Sequence, residues 1–330
     1  MQKFALGLVF AAALFGCSPQ AEPSNTANTA KPEDKPFRVA LLTPGPVNDA
    51  GWNQMAFDGL TAIEGKLSAK VNNEESTGSK IADSMRSYAT EGYDLVFGHG
   101  YEYNAPAMAI AKDFPKTVFV SSSGGEIADN VGAFRFNLEQ GFYVAGYYAA
   151  MTSKSGKVGT VAIQGIPSID STLKAFVAGA KAAKPEVEVK EVKLASDRDV
   201  ASARQATLAM LDSGVDVVIH QANNAASGVF AACKERGAKA IGANANQNND
   251  PSGAVVASAI ILAEPAFLDL ATRVKEGGYK GAIELYGMEK GAIDFVLAEN
   301  SGASPEIVDA IKALIEDIKS GKVEAPRDTF

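Results

Sequence analysis

Short apolar, β-branched runs alternate with amphipathic segments along most of this 330-residue chain, and this alternation limits the folds open to it. The runs are mostly apolar, without a regular polar alternation, which is typical of strands that are buried on both faces of a sheet. Strands separated by helices form parallel βαβ units, so the pattern predicts an α/β fold. The predicted strands are Arg38–Leu42, Asp94–Phe97, Thr117–Val120, Lys157–Ile163, Val215–Ile219, Ala240–Gly242 and Val255–Ile260.

The segments between these runs carry apolar residues at helical spacing. Each segment is long enough for a crossover helix that covers one face of a parallel sheet. The predicted helices are Trp52–Leu67, Ile81–Thr90, Ala105–Asp113, Gly141–Met151, Leu173–Ala183, Ala201–Leu211, Ala225–Arg236 and Pro265–Lys275.

One strand–helix–strand unit occurs twice in the sequence. Gly92–Phe97 reads GYDLVF, Gly214–Ile219 reads GVDVVI, and a lysine follows each glycine after twenty residues, at Lys112 and Lys234. General similarity between βαβ units explains part of this match. Equal spacing over the whole unit nevertheless indicates two lobes of one design. Open parallel sheets bind ligands at the carboxyl ends of their strands, so two such lobes predict a cleft between them.

The first residues are typical of an exported lipoprotein. Lys3 precedes an apolar run, Phe4–Phe15, that is too short to span a bilayer as a helix, which needs about 20 apolar residues. Cys17 stands where this run stops, as in a lipobox. We therefore expect a signal peptide at 1–16, a disordered tether at 17–36, and a lipid anchor on Cys17 that holds the protein at a membrane of the cell envelope. The alternative is an ordinary signal peptide with an incidental cysteine.

Charge and thiol content exclude several classes of function. The chain has 31 Lys and Arg against 39 Asp and Glu, a net charge of −8, and it has no basic cluster, so we expect no nucleic-acid partner. With Cys17 acylated, Cys233 is the only other thiol, and no internal disulfide is possible. His99 and His220 have no Cys or carboxylate partners at ligand spacing, so no metal site is expected, nor any cofactor.

Polar residues crowd the loop after the first predicted strand. Asn48, Asp49 and Asn53 surround Trp52, the only tryptophan of the chain. An indole above a cleft can stack on a flat ligand, which contributes about 1–3 kcal/mol per stacked base. The alternative is that Asn48 or Asp49 only caps the helix while Trp52 packs in the core. The density of polar groups around one aromatic residue favours a ligand-binding loop.

The ends of other predicted strands also carry polar or glycine-rich turns. They are rich in amides and poor in acid–base groups, which is typical of a site that holds a neutral polar ligand. They lack the nucleophile–base pairing that catalysis requires, so we expect a binding protein and not an enzyme. The residues expected to contact the ligand, besides those of the first loop, are His99, Gly100, Tyr101, Gly165, Gln221, Asn244 and Asn246.

Three stretches carry a family resemblance: Asn48–Gln54, Phe136–Gly159 and Gly214–Gly242. Through them the folded part resembles, over nearly all of its length, the basic membrane protein family of ABC-transporter substrate-binding lipoproteins, which includes purine-nucleoside receptors. The resemblance implies a type I periplasmic-binding-protein fold, in which two Rossmann-like lobes with parallel sheets are joined by a hinge that the chain crosses several times. It also implies a nucleoside or purine-like ligand trapped between the lobes, and an ABC permease and ATPase as partners.

The resemblance also implies the lobes and part of the site. One lobe comprises 37–136 with about 258–283, and the other 137–257 with about 284–330. In nucleoside-binding members an aromatic residue at the position of Trp52 stacks on the purine. Asn48 and Asp49 would bond the ligand, and the Gly98–Tyr101 loop would line its base.

The ribose side of the family site is altered. Nucleoside binders usually have Gly-Val-Asp-x-Asp-Gln where this chain has Asn244 and Asn246 in place of both carboxylates. This exchange loses charge-assisted hydrogen bonds of about 1.5–3 kcal/mol each. The family lysine falls at Ile261, and the second stacking aromatic is replaced near Arg198. A free purine base or another flat polar molecule is therefore an alternative to a nucleoside. A sensory receptor of the same fold and a nucleoside-processing enzyme are the alternative functions.

Overall fold

The computed structural model describes residues 35–48 and 51–328. Cys17, the expected signal peptide and most of the expected tether lie outside these ranges. The strands within them are β1 (Arg38–Thr43), β2 (Lys70–Glu75), β3 (Leu95–Gly98), β4 (Val118–Ser122), β5 (Val131–Phe136), β6 (Lys157–Ile163), β7 (Glu188–Leu194), β8 (Val217–Gln221), β9 (Lys239–Asn244), β10 (Val255–Ile261), β11 (Ile283–Tyr286) and β12 (Ile293–Leu297).

Helices connect most of these strands. None of the helices in the two described ranges is both long and apolar enough to cross a membrane. The α-helices are α1 (Trp52–Leu67), α2 (Lys80–Thr90), α3 (Asn104–Ile110), α4 (Leu138–Thr152), α5 (Pro167–Ala183), α6 (Val200–Asp212), α7 (Ala226–Arg236), α8 (Ala263–Lys275) and α9 (Pro305–Lys319).

The strands form two six-stranded sheets with the same internal order. The first sheet runs β2-β1-β3-β4-β5-β11, and the second runs β7-β6-β8-β9-β10-β12. The repeated unit of the sequence therefore occupies equivalent places, with β3 and β4 in the first sheet and β8 and β9 in the second. Gly92 and Gly214, which open the two copies, both have left-handed backbones, with φ of 80° and 98°. This architecture confirms the predicted α/β fold of two similar halves.

Two features of the sheets differ from the prediction. β12 pairs with β10 in the antiparallel direction, although parallel sheets were expected. Five strands, β2, β5, β7, β11 and β12, are not among the predicted ones. Two of them, β2 and β7, have the polar sequences KVNNEE and EVKEVKL. Each lies at the edge of its sheet, where polar residues can face solvent and charged residues discourage pairing with other chains.

The chain passes between the two sheets three times within residues 51–328. It leaves the first sheet after β5, returns after β10 into α8, and leaves again after β11. α4 then packs on β10 and β12 of the second sheet, whereas α8 packs on α1 of the first. Every crossing starts at the carboxyl end of a strand, and Ile293 at the start of β12 pairs with Ile261 at the end of β10. The carboxyl ends of both sheets therefore meet at the crossings. The lobe boundaries expected near 258 and 283 stay predictions.

The first and third crossings are bonded to each other. The amide of Asn137 donates to the carbonyl oxygen of Tyr286 at 2.9 Å. The side chain of Gln140 accepts from the amide of Met288 at 2.6 Å. These bonds link Asn137 and the first turn of α4 to the end of β11 and the residues that follow it.

α4 and α5 cross at close range over two glycines. A Cβ atom at Gly146 would lie 2.0 Å from the carbonyl oxygen of Phe176. A Cβ atom at Gly179 would lie 1.9 Å from the carbonyl oxygen of Tyr143. Both neighbours are backbone atoms, so the two helices can keep this spacing only with glycine at these positions.

Cys233 is fully buried in α7. Burial raises the pKa of its thiol to about 12, because the thiolate would lose its hydration. This environment is that of a small core residue.

Candidate functional site

Trp52 lies at the carboxyl edge of the first sheet, as the first residue of α1. Gly51 is the N-cap of this helix, and no capping bond from a side chain of the described residues is present. Whether Asp49 caps the helix is not decided, because Asp49 lies outside the described residues, and Trp52 does pack against the hydrophobic core. The Trp52 indole is half-buried, and it stacks on the imidazole of His99 with ring centroids 4.0 Å apart and an interplanar angle of 24°.

His99 follows β3 directly and is 1 % exposed. Its Nε2 lies 3.0 Å from the main-chain oxygen of Trp52, and its Nδ1 lies 3.2 Å from Oγ of Ser122 at the end of β4. Because a carbonyl oxygen can only accept, Nε2 carries a hydrogen, and in the neutral ring Nδ1 accepts from Ser122. The His99 imidazole, just after β3, thus links Trp52, which follows β1, to Ser122, which ends β4.

Two tyrosines in the turn after β3, Tyr101 and Tyr103, differ in their exposure to solvent. Tyr103 is buried, and its hydroxyl donates to the carbonyl oxygen of Ser76 at 2.7 Å. A Cβ atom at Gly98 would lie 2.2 Å from Cβ of Tyr103, so glycine lets this ring pack against the strand. Tyr101 is 75 % exposed, next to the buried Gly100. Tyr101, rather than Tyr103, is accessible from outside.

The other residues expected from the first loop have different environments. Asn48 is exposed, and Asp49 lies outside the described residues. Asn53 is 8 % exposed. Its amide lies so close to Gly45 that a Cβ atom there would be 2.9 Å from Nδ2 of Asn53.

Gln221 and Asn244 form an amide pair at the carboxyl edge of the second sheet, where they end the neighbouring strands β8 and β9. Nδ2 of Asn244 donates to Oε1 of Gln221 at 3.1 Å, and Nε2 of Gln221 lies 3.4 Å from Oδ1 of Asn244. Asn244 has a left-handed backbone with φ of 69°, which asparagine tolerates better than most residues. The pair is neutral, and each amide has further donor and acceptor capacity for a ligand.

Two other expected residues of the second half, Gly165 and Asn246, are exposed in loops at the same edge. Gly165 has φ of 79°, a conformation that glycine adopts without strain. The structure thus brings Gln221 and Asn244 into contact and places Gly165 and Asn246 in separate loops of that edge.

His220 and Gln247 form a buried bond beneath this edge that the sequence interpretation missed. Nδ1 of His220 accepts from the amide of Ala222 at 3.2 Å, and Nε2 donates to Oε1 of Gln247 at 2.8 Å. Oε1 of Gln247 also accepts from the amide of Ala243 at 3.0 Å. Gln247 therefore shapes the loop after β9. The sequence feature that could have indicated Gln247 is its place in the amide-rich run that begins at Asn244.

His220 makes stability depend on pH. Burial lowers its pKa from 6.5 to about 4, although the bond to Gln247 opposes the shift. The unfolded chain takes up a proton below about pH 6.5, whereas the folded protein does not do so until about pH 4, so stability is lost as pH falls through this window. We expect a loss of about 2 kcal/mol in the free energy of unfolding between pH 7.5 and pH 5. Urea denaturation at both pH values measures it.

The variant His220→Gln is the control for this pH dependence, because it cannot titrate. Its stability at pH 7.5 will differ from that of the wild type, but its loss on going to pH 5 should be smaller by the expected amount. An equal loss in both proteins would contradict the assignment to His220.

Ser122 and His99 form a hydroxyl–imidazole contact that was not expected. The sequence indicated no nucleophile–base pair in these loops, whereas the structure places Ser122 Oγ 3.2 Å from His99 Nδ1. Both side chains are only 1 % exposed. A nucleophile must reach its substrate, and this hydroxyl has no such access in the structure.

The family of ABC transporter substrate-binding proteins described as PnrA-like matches residues 37–329. The nucleoside-binding protein BmpA of Lactococcus lactis is 28 % identical, covering 98 % of this chain and 97 % of its own. A purine-binding protein of Brucella abortus is 26 % identical, covering 89 % and 84 %. The CD4+ T-cell-stimulating antigen of Listeria monocytogenes is 30 % identical, with 88 % of both chains covered.

Solved structures show the same fold. A transcriptional activator of the comK gene from Bacillus halodurans superposes with a TM-score of 0.78 at 24 % identity, over 87 % of this chain and 99 % of that one. An ABC transporter solute-binding protein from Conexibacter woesei gives 0.76 at 22 % identity, over 88 % and 99 %. The fold is thus that of periplasmic-binding-type solute-binding proteins. The chain belongs to the PnrA-like family of ABC transporter substrate-binding proteins.

Proposed function

We propose that this protein captures a nucleoside, a purine base or a similar flat polar molecule between two lobes and delivers it to an ABC permease and its ATPase. The lobes comprise 37–136 with about 258–283, and 137–257 with about 284–330. A lipid on Cys17 anchors the protein to a membrane of the cell envelope. The proposal extends the family assignment to a ligand class, a site and an anchor.

One observation carries the ligand class. A half-buried indole, Trp52, lies at the carboxyl edge of the first sheet, and a neutral amide pair, Gln221 with Asn244, lies at the same edge of the second. An aromatic face binds a planar ring by stacking, and amides bind its polar rim without selecting a charge. The names of the Brucella and Lactococcus relatives, purine-binding and nucleoside-binding, support the same ligand class.

The remaining ligand contacts are proposed from the loops around these two features. They come from residues whose environments range from exposed to buried, and loops can change position when a ligand binds. The proposed set comprises Asn48, Asp49, Asn53, Gly100, Tyr101, Gly165 and Asn246.

Trp52→Ala tests the stacking. We expect ligand affinity to fall tenfold or more, because about 1–3 kcal/mol of stacking is lost, while Trp52→Phe keeps a ring and should lose much less. Titration calorimetry with adenine, guanine, adenosine and guanosine measures the affinities, and thermal unfolding checks that the fold is intact. Equal affinity of Trp52→Ala and the wild type would remove Trp52 from the site.

Asn244→Asp tests whether the second half selects between bases and nucleosides. A carboxylate at this position would accept charge-assisted bonds from the hydroxyls of a ribose, and aspartate tolerates the same left-handed backbone. We therefore expect the ratio of nucleoside affinity to base affinity to rise. An unchanged ratio in the same calorimetric series would show that Asn244 does not face the sugar position.

We further propose that the protein binds its ligand without converting it. The inaccessibility of the Ser122 hydroxyl supports this view. Incubation of each ligand with the protein, followed by chromatography, should return the ligand unchanged. A product that accumulates with time would contradict it.

A further inference from the structure

The indole of Trp52 has two faces, and the structure shows what covers one of them. The imidazole of His99 lies parallel to it within 24° at a centroid distance of 4.0 Å, which is stacking contact. A flat ligand can therefore stack only on the opposite face of Trp52.

Among the described residues, Trp52 and Ser122 make polar contacts that hold His99 in place, and burial adds to them. Nε2 lies 3.0 Å from the Trp52 carbonyl oxygen, and Nδ1 lies 3.2 Å from Ser122 Oγ, so both ring edges are oriented. On the side of α8, the ring of Phe267 lies 6.4 Å from the imidazole, centroid to centroid. The imidazole is 1 % exposed, whereas Trp52 is half-buried.

We propose that His99 is a positioning residue for Trp52, and not a ligand contact as the sequence indicated. It holds both the inner face of the indole and the carbonyl group of the same residue. The indole then meets the ligand already oriented, which reduces the conformational entropy lost on binding. This inference rests on the proposed function, because it assigns how one side chain of that site acts.

The only tryptophan of the chain, Trp52, makes the inference testable without any ligand. In unliganded His99→Ala, the indole loses its stacking partner and its anchor. We expect acrylamide to quench its fluorescence more strongly than in the wild type. His99→Phe keeps a ring on the inner face and should restore quenching close to the wild-type level.

The same variants are then titrated with the purine bases and nucleosides. We expect His99→Ala to lower affinity about tenfold, the upper range for ordering one side chain, and His99→Phe to stay within about threefold of the wild type. A direct polar contact between His99 and the ligand predicts instead that both variants lose affinity equally.

Each result has a definite meaning. Unchanged quenching in His99→Ala, or equal affinity losses in His99→Ala and His99→Phe, would overturn the positioning role. A wild-type protein that binds none of the four ligands would contradict the proposed function, and the quenching measurement would still decide the position of the indole. His220→Phe changes the buried histidine of the other half, so its quenching should match the wild type.

Discussion

Glu139→Ala is expected to lower the free energy of unfolding by about 3–5 kcal/mol, as found when one partner of a buried ion pair is removed. Glu139 is fully buried and paired with Arg135 on β5, whose side chain is only 12 % exposed. Ser171 Oγ also donates to this carboxylate at 2.5 Å. Burial lowers the pKa of the Arg135 guanidinium, while Glu139 opposes that shift. Without the carboxylate, the guanidinium keeps the cost of burial and loses the larger of the compensating charges, the other being that of Asp328.

Glu264→Ala is the matched control for this change. Like Glu139, Glu264 stands in the first turn of a helix and pairs with a basic residue. Its side chain is 49 % exposed and that of its partner Lys66 is 60 % exposed, so the pair is screened by water. We expect a loss of about 1 kcal/mol or less. Urea denaturation of both variants gives the comparison, and equal losses would show that the Arg135–Glu139 pair has no special energetic role.

Gly146→Ala is expected to destabilise the protein by about 1–3 kcal/mol, the usual cost of overpacking a well-packed core. The new methyl group would lie 2.0 Å from the carbonyl oxygen of Phe176 and 2.9 Å from the amide nitrogen of Ala180. These are backbone atoms of α5, which cannot move aside by changing a rotamer. The two helices must therefore separate, and contacts along their whole crossing weaken.

Gly65→Ala provides the opposite result within the same protein. Gly65 also lies inside a helix, α1, but a Cβ atom there would meet nothing within 4 Å. Alanine should raise the free energy of unfolding by about 0.5–1 kcal/mol, because glycine loses more backbone entropy on folding. Thermal and urea denaturation of the pair measure both effects. A change of the same sign in both variants would contradict the packing argument.

The seven strands that were predicted all lie inside their sheets, but the interior strand β5 was missed, because its sequence VGAFRF includes a glycine and an arginine. β6 matches its predicted range, and β1 and β10 extend one residue beyond theirs, because apolar β-branched runs are the direct result of burial on both faces. β2 and β7 carry no such run, since an edge strand meets fewer neighbours. The composition of β12 does not indicate its antiparallel direction. That direction depends on the place at which the chain enters the second sheet after β11.

The edge of each sheet at which the candidate residues lie could be predicted, but the direction of their side chains could not. Strand ends indicated Trp52, His99, Gln221 and Asn244, and the structure places all four at the carboxyl edges of the sheets. That His99 stacks behind the indole depends on Ser122, 23 positions further along the chain. Such contacts arise only when separate strands come together. The ligand contacts, with Asp49 among them, stay predictions.

The three connections between the sheets have a mechanical consequence. A single connection would let two bodies swing in any direction, whereas three neighbouring ones leave rotation about one line as the easy motion. The bond from Asn137 to Tyr286 makes two of these connections turn together. We therefore expect opening of the proposed lobes to be described by one angle, which a single pair of distance probes, one on each half, can follow.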